Sequence, residues 1–117
     1  IPAKMLFDKN ELVLPANSNI TLRFKNPDEM PHNLVIIKNG SLEKVGKAAD
    51  AMAAMKDGFE KNFVPNLSEV LFATPLVQPA QSYDLEFRTP PAGEYVFICS
   101  FPGHWNMMKG IIKFVEK

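Results

Sequence analysis

"EYVFICSFPGHWNMMKGIIKFVEK", residues 94–117, contains two strands, a reversal and an unusual set of side chains. Through Cys99 it is a nearly continuous apolar run, the pattern of a central strand covered on both faces. From Gly110 it reads as a second strand, and between them Pro102 and Gly103 turn the chain. The stretch 99–110 also collects the chain's one cysteine, one of its two histidines and two of its six methionines.

Working outward, "NITLRFKN" alternates Ile20, Leu22 and Phe24 with Thr21, Arg23 and Lys25. "SYDLEFRT" alternates Tyr83, Leu85 and Phe87 with Asp84, Glu86 and Arg88. Both predict half-buried strands of an antiparallel sheet. "HNLVII" is a second doubly covered central strand, "ELVLP" belongs to the set, and "AKMLF" is a possible first strand. Turn signals such as "LPANSN", "KNGS" and "TPPAG" separate them. One segment has a different period. In "SLEKVGKAADAMAAMKDG", Val45, Ala49, Met52, Ala53 and Lys56 recur at helical spacing, with Ser41 as N-cap and Gly58 as stop. The expectation is an all-β Greek-key β-sandwich of about six to eight strands with one short inserted α-helix around residues 42–57. No repeat or internal boundary interrupts it, so residues 1–117 read as a single domain.

With 117 residues the chain can bury one modest core. Thirteen basic residues balance thirteen acidic ones, which leaves no basic footprint for nucleic acid and no polybasic tail for a membrane surface. No apolar run approaches the ~20 residues of a membrane span. The opening "IPAKMLF" has no leader-like pattern, so the chain reads as a mature protein or an excised domain. A single cysteine forms no internal disulfide.

Four residues carry the chemistry: His32, Cys99, His104 and Met108. Cys99 ends one apolar strand, and the short "FPGH" loop can bring Cys99, His104 and Met108 towards one point. His32 opens the other apolar strand and would close the site if the two strands are neighbours. One thiolate, two imidazoles and a thioether are a soft to borderline set. It fits a type 1 copper site, in which two His and one Cys form a trigonal site with a weak axial Met. Zinc also takes Cys and His but takes Met poorly.

The spacing Cys-x4-His-x3-Met, with "FPGH" and "MKG", resembles the ligand loop of the cupredoxins, the small blue copper proteins, and their azurin-like members most closely. "HNLVII" resembles the strand that supplies their first histidine, and the inserted helix is also similar. The resemblance implies one copper per chain, with His32, Cys99 and His104 as strong ligands and Met108 as the axial one. It implies that Asn33 ties its strand to the cysteine loop. It implies a one-electron Cu(I)/Cu(II) shuttle that is not an enzyme, in the periplasm or outside the cell. Its partner would be a cytochrome, another copper protein or a dehydrogenase. That partner would dock near His104, on a rim formed by Met30, Pro31, Pro102, Trp105 and Met107. Two departures stand out. The chain has no second cysteine, so the disulfide that azurins carry away from the metal is absent, and Pro31 occupies the place of a glycine.

Other readings use the same residues. Copper storage or delivery would use the same soft ligands, and Met52 and Met55 could add to them, although on an Ala-rich helical face they read as packing. A nucleophilic Cys99 with His104 or His32 as base needs an open thiol and an oxyanion hole, and no motif supplies them. Trp105, placed on the docking rim, could instead fold back as packing.

Overall fold

A computed structural model describes residues 11–26, 31–54, 58, 61–65, 67–101, 105 and 108–116. Among these, seven strands and one helix alternate in the order β1 (Glu11–Pro15), β2 (Asn19–Asn26), β3 (Val35–Lys38), α1 (Leu42–Ala51), β4 (Val70–Ala73), β5 (Gln81–Arg88), β6 (Gly93–Ile98) and β7 (Lys109–Val115). A 3-10 turn, Met52–Ala54, extends α1. The possible first strand "AKMLF" lies outside the described residues.

Five strands form one sheet in the order β1-β7-β6-β3-β4, and β2 and β5 form the second. The two apolar strands are neighbours, as the candidate site requires. β3 runs antiparallel to β6 with Val35 opposite Ile98 and Lys38 opposite Tyr95. β6 and β7 form a hairpin in which Ile98 faces Lys109. β2 and β5 pair antiparallel along their full length, from Asn19 with Arg88 to Asn26 with Gln81. One pairing differs from a purely antiparallel reading: β1 runs parallel to β7. A period-two pattern shows which face a strand buries but not which way its neighbour runs. β4, with four half-buried residues, is also missing from the sequence reading, because "VLFA" has no alternation.

The doubly covered character of β3 has a direct cause. Ile36 points into the core between the sheets with Phe24, Phe97, Ile112 and Phe114. Val35 and Ile37 point the other way, where they pack with Ile98, Trp105 and Val45 of α1. Each large apolar side chain buried in these layers contributes about 1.5–3 kcal/mol. In β2 the inward set Ile20, Leu22 and Phe24 matches the alternation. In β5 only Leu85 and Phe87 follow it, and Tyr83, near the strand's start, is 38% exposed.

The helix stands where it is expected: the α-helix covers Leu42–Ala51, a 3-10 turn continues to Ala54, and residues 55–57 lie outside the described residues. Val45, Ala49 and Met52 are buried as their spacing predicts. Ser41 occupies the N-cap position without a side-chain cap bond. Its hydroxyl donates instead to the carbonyl of Lys38 at 2.5 Å, across a turn in which Gly40 takes φ +83°. That left-handed conformation favours glycine, so "KNGS" performs the reversal between β3 and α1.

Candidate metal centre

The candidate site lies where β3 and β6 run out. One step past the Ile98–Lys109 pair, the Cys99 amide donates to the Met108 carbonyl at 3.0 Å. This bond closes the base of the loop and places two candidate ligands across from each other, both fully buried. The β3–β6 register, continued outward, sets Asn33 opposite Ser100. There the ladder is replaced by side-chain bonds. The Ser100 amide donates to Asn33 Oδ1 at 2.7 Å and Asn33 Nδ2 donates to Ser100 Oγ at 2.8 Å. Asn33 therefore ties its strand to the cysteine loop.

His32 sits just ahead of β3, not within it. Its amide donates to the Val77 carbonyl at 3.2 Å and its carbonyl accepts from the Val77 amide at 2.7 Å, which makes an isolated bridge. Its ring is fully buried, and Nδ1 stands 3.7 Å from Cys99 Sγ. Two ligands of one metal, with bonds of roughly 2.0 Å to nitrogen and 2.3 Å to sulfur at a trigonal angle, span about the same separation.

The electrostatics of the sulfur also suit a cation. Burial pushes the Cys99 thiol up from 9.0 to about 11, against hydrogen bonds from the backbone amides of Asn33 and Phe101 that favour the thiolate. A bound metal ion reverses this balance, because a coordinating thiol is deprotonated outright. The two amides are already in place for the resulting anion. Among the described residues no group of three His, Cys, Asp or Glu side chains converges. The donors there are the Cys99–His32 pair and Met108, a soft set with no added carboxylate. These donors fit copper. The enclosed sulfur does not fit the open thiol that a nucleophile needs.

The raised thiol predicts a pH dependence for the metal-free protein. The unfolded chain ionises near 9.0 and the folded chain only near 11. Stability is therefore complete below about pH 9 and falls as pH rises towards about 11, by on the order of 2–3 kcal/mol. The measurement is the difference between the parent and Cys99→Ala in urea unfolding at several pH values.

Three features of the site do not appear in the sequence reading. The first is a strut beneath the loop. Asn62 and Phe63 take φ of 57° and 54°, left-handed conformations that cost non-glycine residues of order 1 kcal/mol or more each. Held that way, the Asn62 carbonyl accepts from Asn33 Nδ2 at 2.9 Å and the Phe63 carbonyl accepts from Ser100 Oγ at 2.7 Å. Asn62 Oδ1 also accepts from the Leu76 amide, and the Phe63 ring meets Phe101 edge-on at 5.3 Å. The second is Thr74, whose hydroxyl accepts from the Leu34 amide at 2.9 Å.

The third is the seat of Trp105. This residue is only 8% exposed and packs on Val35, Ile37, Val45 and Ile98. Its Nε1–H donates to Asp50 Oδ2 at 2.8 Å, and a Cβ on Gly46 would overlap its ring. A buried indole needs a partner for its N–H, and Asp50 supplies one. Trp105 therefore does not belong to an exposed docking rim. The one cue in the sequence is that Gly46 and Asp50 lie four apart, on one helix face. Met52 is likewise core packing at 5% exposure, and Pro31 is half-buried. His104 and the rim residues Met30, Pro102 and Met107 lie outside the described residues, as does Met55.

A two-sheet sandwich with a buried cysteine, histidine and methionine where its central strands end has the architecture of a cupredoxin. The chain belongs to the family described as copper binding proteins, plastocyanin/azurin family, which matches residues 2–115. It is 34% identical to auracyanin-A of Chloroflexus aurantiacus over 92% of this chain and 65% of that protein. It is 32% identical to azurin-1 of Alcaligenes xylosoxydans xylosoxydans over 96% of this chain and 91% of that protein. It spans 48% of the length of auracyanin-B from Chloroflexus aurantiacus. Among solved structures, reduced auracyanin from Roseiflexus castenholzii superposes with a TM-score of 0.83 at 31% identity, covering 97% of this chain and 90% of that one. Auracyanin A of Chloroflexus aurantiacus, described as a "blue" copper protein, superposes with a TM-score of 0.84 at 32% identity, covering 96% and 90%.

Proposed function

We propose that His32, Cys99, His104 and Met108 hold one type 1 copper ion and that the chain carries single electrons between redox partners. The observation that supports this most is the buried Cys99 sulfur 3.7 Å from His32 Nδ1. When bound, copper supplies a one-electron Cu(I)/Cu(II) couple. The protein's part is to keep the donors still. Asn33 and Ser100 fix the two strand ends to each other, the Asn33 and Phe101 amides hold the sulfur, and the Cys99–Met108 bond fixes the loop base. Ligands held this way move little when the charge on the metal changes. Four donors from one chain leave no position for a substrate, so the reading is an electron carrier and not an enzyme.

The relatives described as blue copper proteins and azurins support this reading over copper storage or delivery. Competition with a Cu(I) chelator at neutral pH tests it. A closed site should release copper slowly in both redox states, and rapid, complete loss would instead fit delivery. Partner docking is assigned to the side of His104, with a cytochrome, copper protein or dehydrogenase as partner. Zero formal net charge gives little long-range steering, so the rate of exchange should depend weakly on salt. The azurin and auracyanin relatives favour a periplasmic or extracellular location. Among the described residues no helix is long and apolar enough to cross a membrane.

The axial ligand has its own test, because Met107 and Met108 are adjacent. Met108 is fully buried beside Cys99. Met108→Leu is expected to keep the blue colour and raise the potential, by removing a weak donor to Cu(II). Met107→Leu is expected to leave both nearly unchanged. Cyclic voltammetry decides, and a larger shift from Met107→Leu would reverse the assignment.

A further inference from the structure

The seat of Trp105 joins two parts of the molecule that the copper reading treats separately. Trp105 is the only tryptophan in the chain. It lies in the ligand loop, directly after His104 and three residues before Met108. Its ring rests on α1 at Gly46, and its N–H is bonded to Asp50 one helical turn further on. Glycine in a helix interior lowers stability relative to alanine. At this position the ring fills the space a side chain would need. The loop is thus anchored at its base through Cys99 and Met108, at Ser100 through Asn33, and at Trp105 through α1.

We propose that Gly46 and Asp50 are positioning residues for the copper loop: they seat Trp105 and so hold the segment that carries His104 and Met108. The proposal rests on the copper reading and extends it to a helix that supplies no ligand. Residues that orient metal ligands from outside typically change affinity by about ten- to a hundredfold when replaced. Gly46→Ala should act more strongly than Asp50→Ala. The alanine methyl displaces the ring itself, whereas Asp50 is exposed and water can take over part of its hydrogen bond.

The test compares the parent with Gly46→Ala, Asp50→Ala and Asp50→Asn. Each protein is loaded with copper and followed by Cu(I) transfer to a chelator and by electron paramagnetic resonance of the Cu(II) form. Trp105 emission and thermal melting are recorded on each apoprotein. Copper release is expected to quicken about tenfold or more in Gly46→Ala and severalfold in Asp50→Ala. The resonance parameters should shift and the emission should move to the red. Asp50→Asn keeps an acceptor oxygen and should return all three towards the parent. If Asp50→Ala and Gly46→Ala move the emission or the melting temperature but leave copper release and resonance as in the parent, Trp105 is packing only and the proposal is wrong. Should Gly46→Ala fail to fold, Asp50→Ala against Asp50→Asn carries the same decision. A parent that takes up no blue copper overturns the copper reading itself, a result distinct from a blue parent whose variants do not differ.

Discussion

Cys99→Ala is expected to abolish the blue colour of the copper-loaded protein completely, because the thiolate supplies the charge-transfer transition. The fold should survive. Cys99 is fully buried, but alanine removes only the sulfur, and the apolar layers around Ile36, Phe97 and Phe114 are untouched. A small cavity of this kind costs about 1–2 kcal/mol at most, well below the 2–5 kcal/mol of larger truncations to alanine. Circular dichroism of the variant should therefore match the parent, while the visible spectrum with Cu(II) goes blank. A variant that stays blue would remove Cys99 from the site. A variant that unfolds would mean that the thiol acts chiefly as core.

The second large effect is expected at Asn33. Its side chain is fully buried and joins three partners: the Ser100 amide, the Ser100 hydroxyl and the Asn62 carbonyl. Asn33→Leu keeps the branched shape, is bulkier at a fully buried position, and satisfies none of them. Leaving the Ser100 amide and the Asn62 carbonyl unpaired costs about 1–3 kcal/mol each. The expected loss is about 3 kcal/mol or more, out of a typical total of about 5–15 kcal/mol. For a chain of this size that lowers the melting temperature by on the order of 10 °C. The copper site should suffer as well, because Asn33 sits between His32 and β3, which pairs with the strand that leads into Cys99. Faster copper release and a changed visible spectrum are the signature of that role. Calorimetry of the apoprotein separates the stability loss from the loss at the metal. An Asn33→Leu protein as stable as the parent would show that the loop is held by other bonds.

These two residues also show where sequence reasoning succeeds and where it stops. Cys99 is legible because it ends an apolar run beside a turn. His32 is legible because it opens the other apolar run, and the Val35–Ile98 pairing then brings the two ends together. The hairpin of β6 and β7 follows from the same stretch. What escapes the sequence depends on contacts between distant segments. Trp105 faces inward because Asp50, 55 positions away, accepts its N–H and Gly46 leaves room for the ring. The strut at Asn62 and Phe63 depends on two left-handed backbones that no Gly announces. The parallel β1–β7 pairing is invisible to periodicity, and the α-helix gives way to a 3-10 turn after Ala51 without a glycine to mark it. The ladder next to His32 is shortened because Leu34 and Asn33 bond to the side chains of Thr74 and Ser100. Residue types alone do not reveal that substitution.

One copper ion held by His32, Cys99, His104 and Met108 has a spectroscopic signature of its own. Fine structure at the copper X-ray absorption edge of the loaded protein counts those ligands directly. The expected result is one copper per chain with two nitrogens and one sulfur at short distance, and a second sulfur far enough away to be weak. Loss of the short sulfur in Cys99→Ala and of one nitrogen in His32→Ala should accompany it. A first shell made only of nitrogen and oxygen, or one containing two short sulfurs, would contradict the assignment.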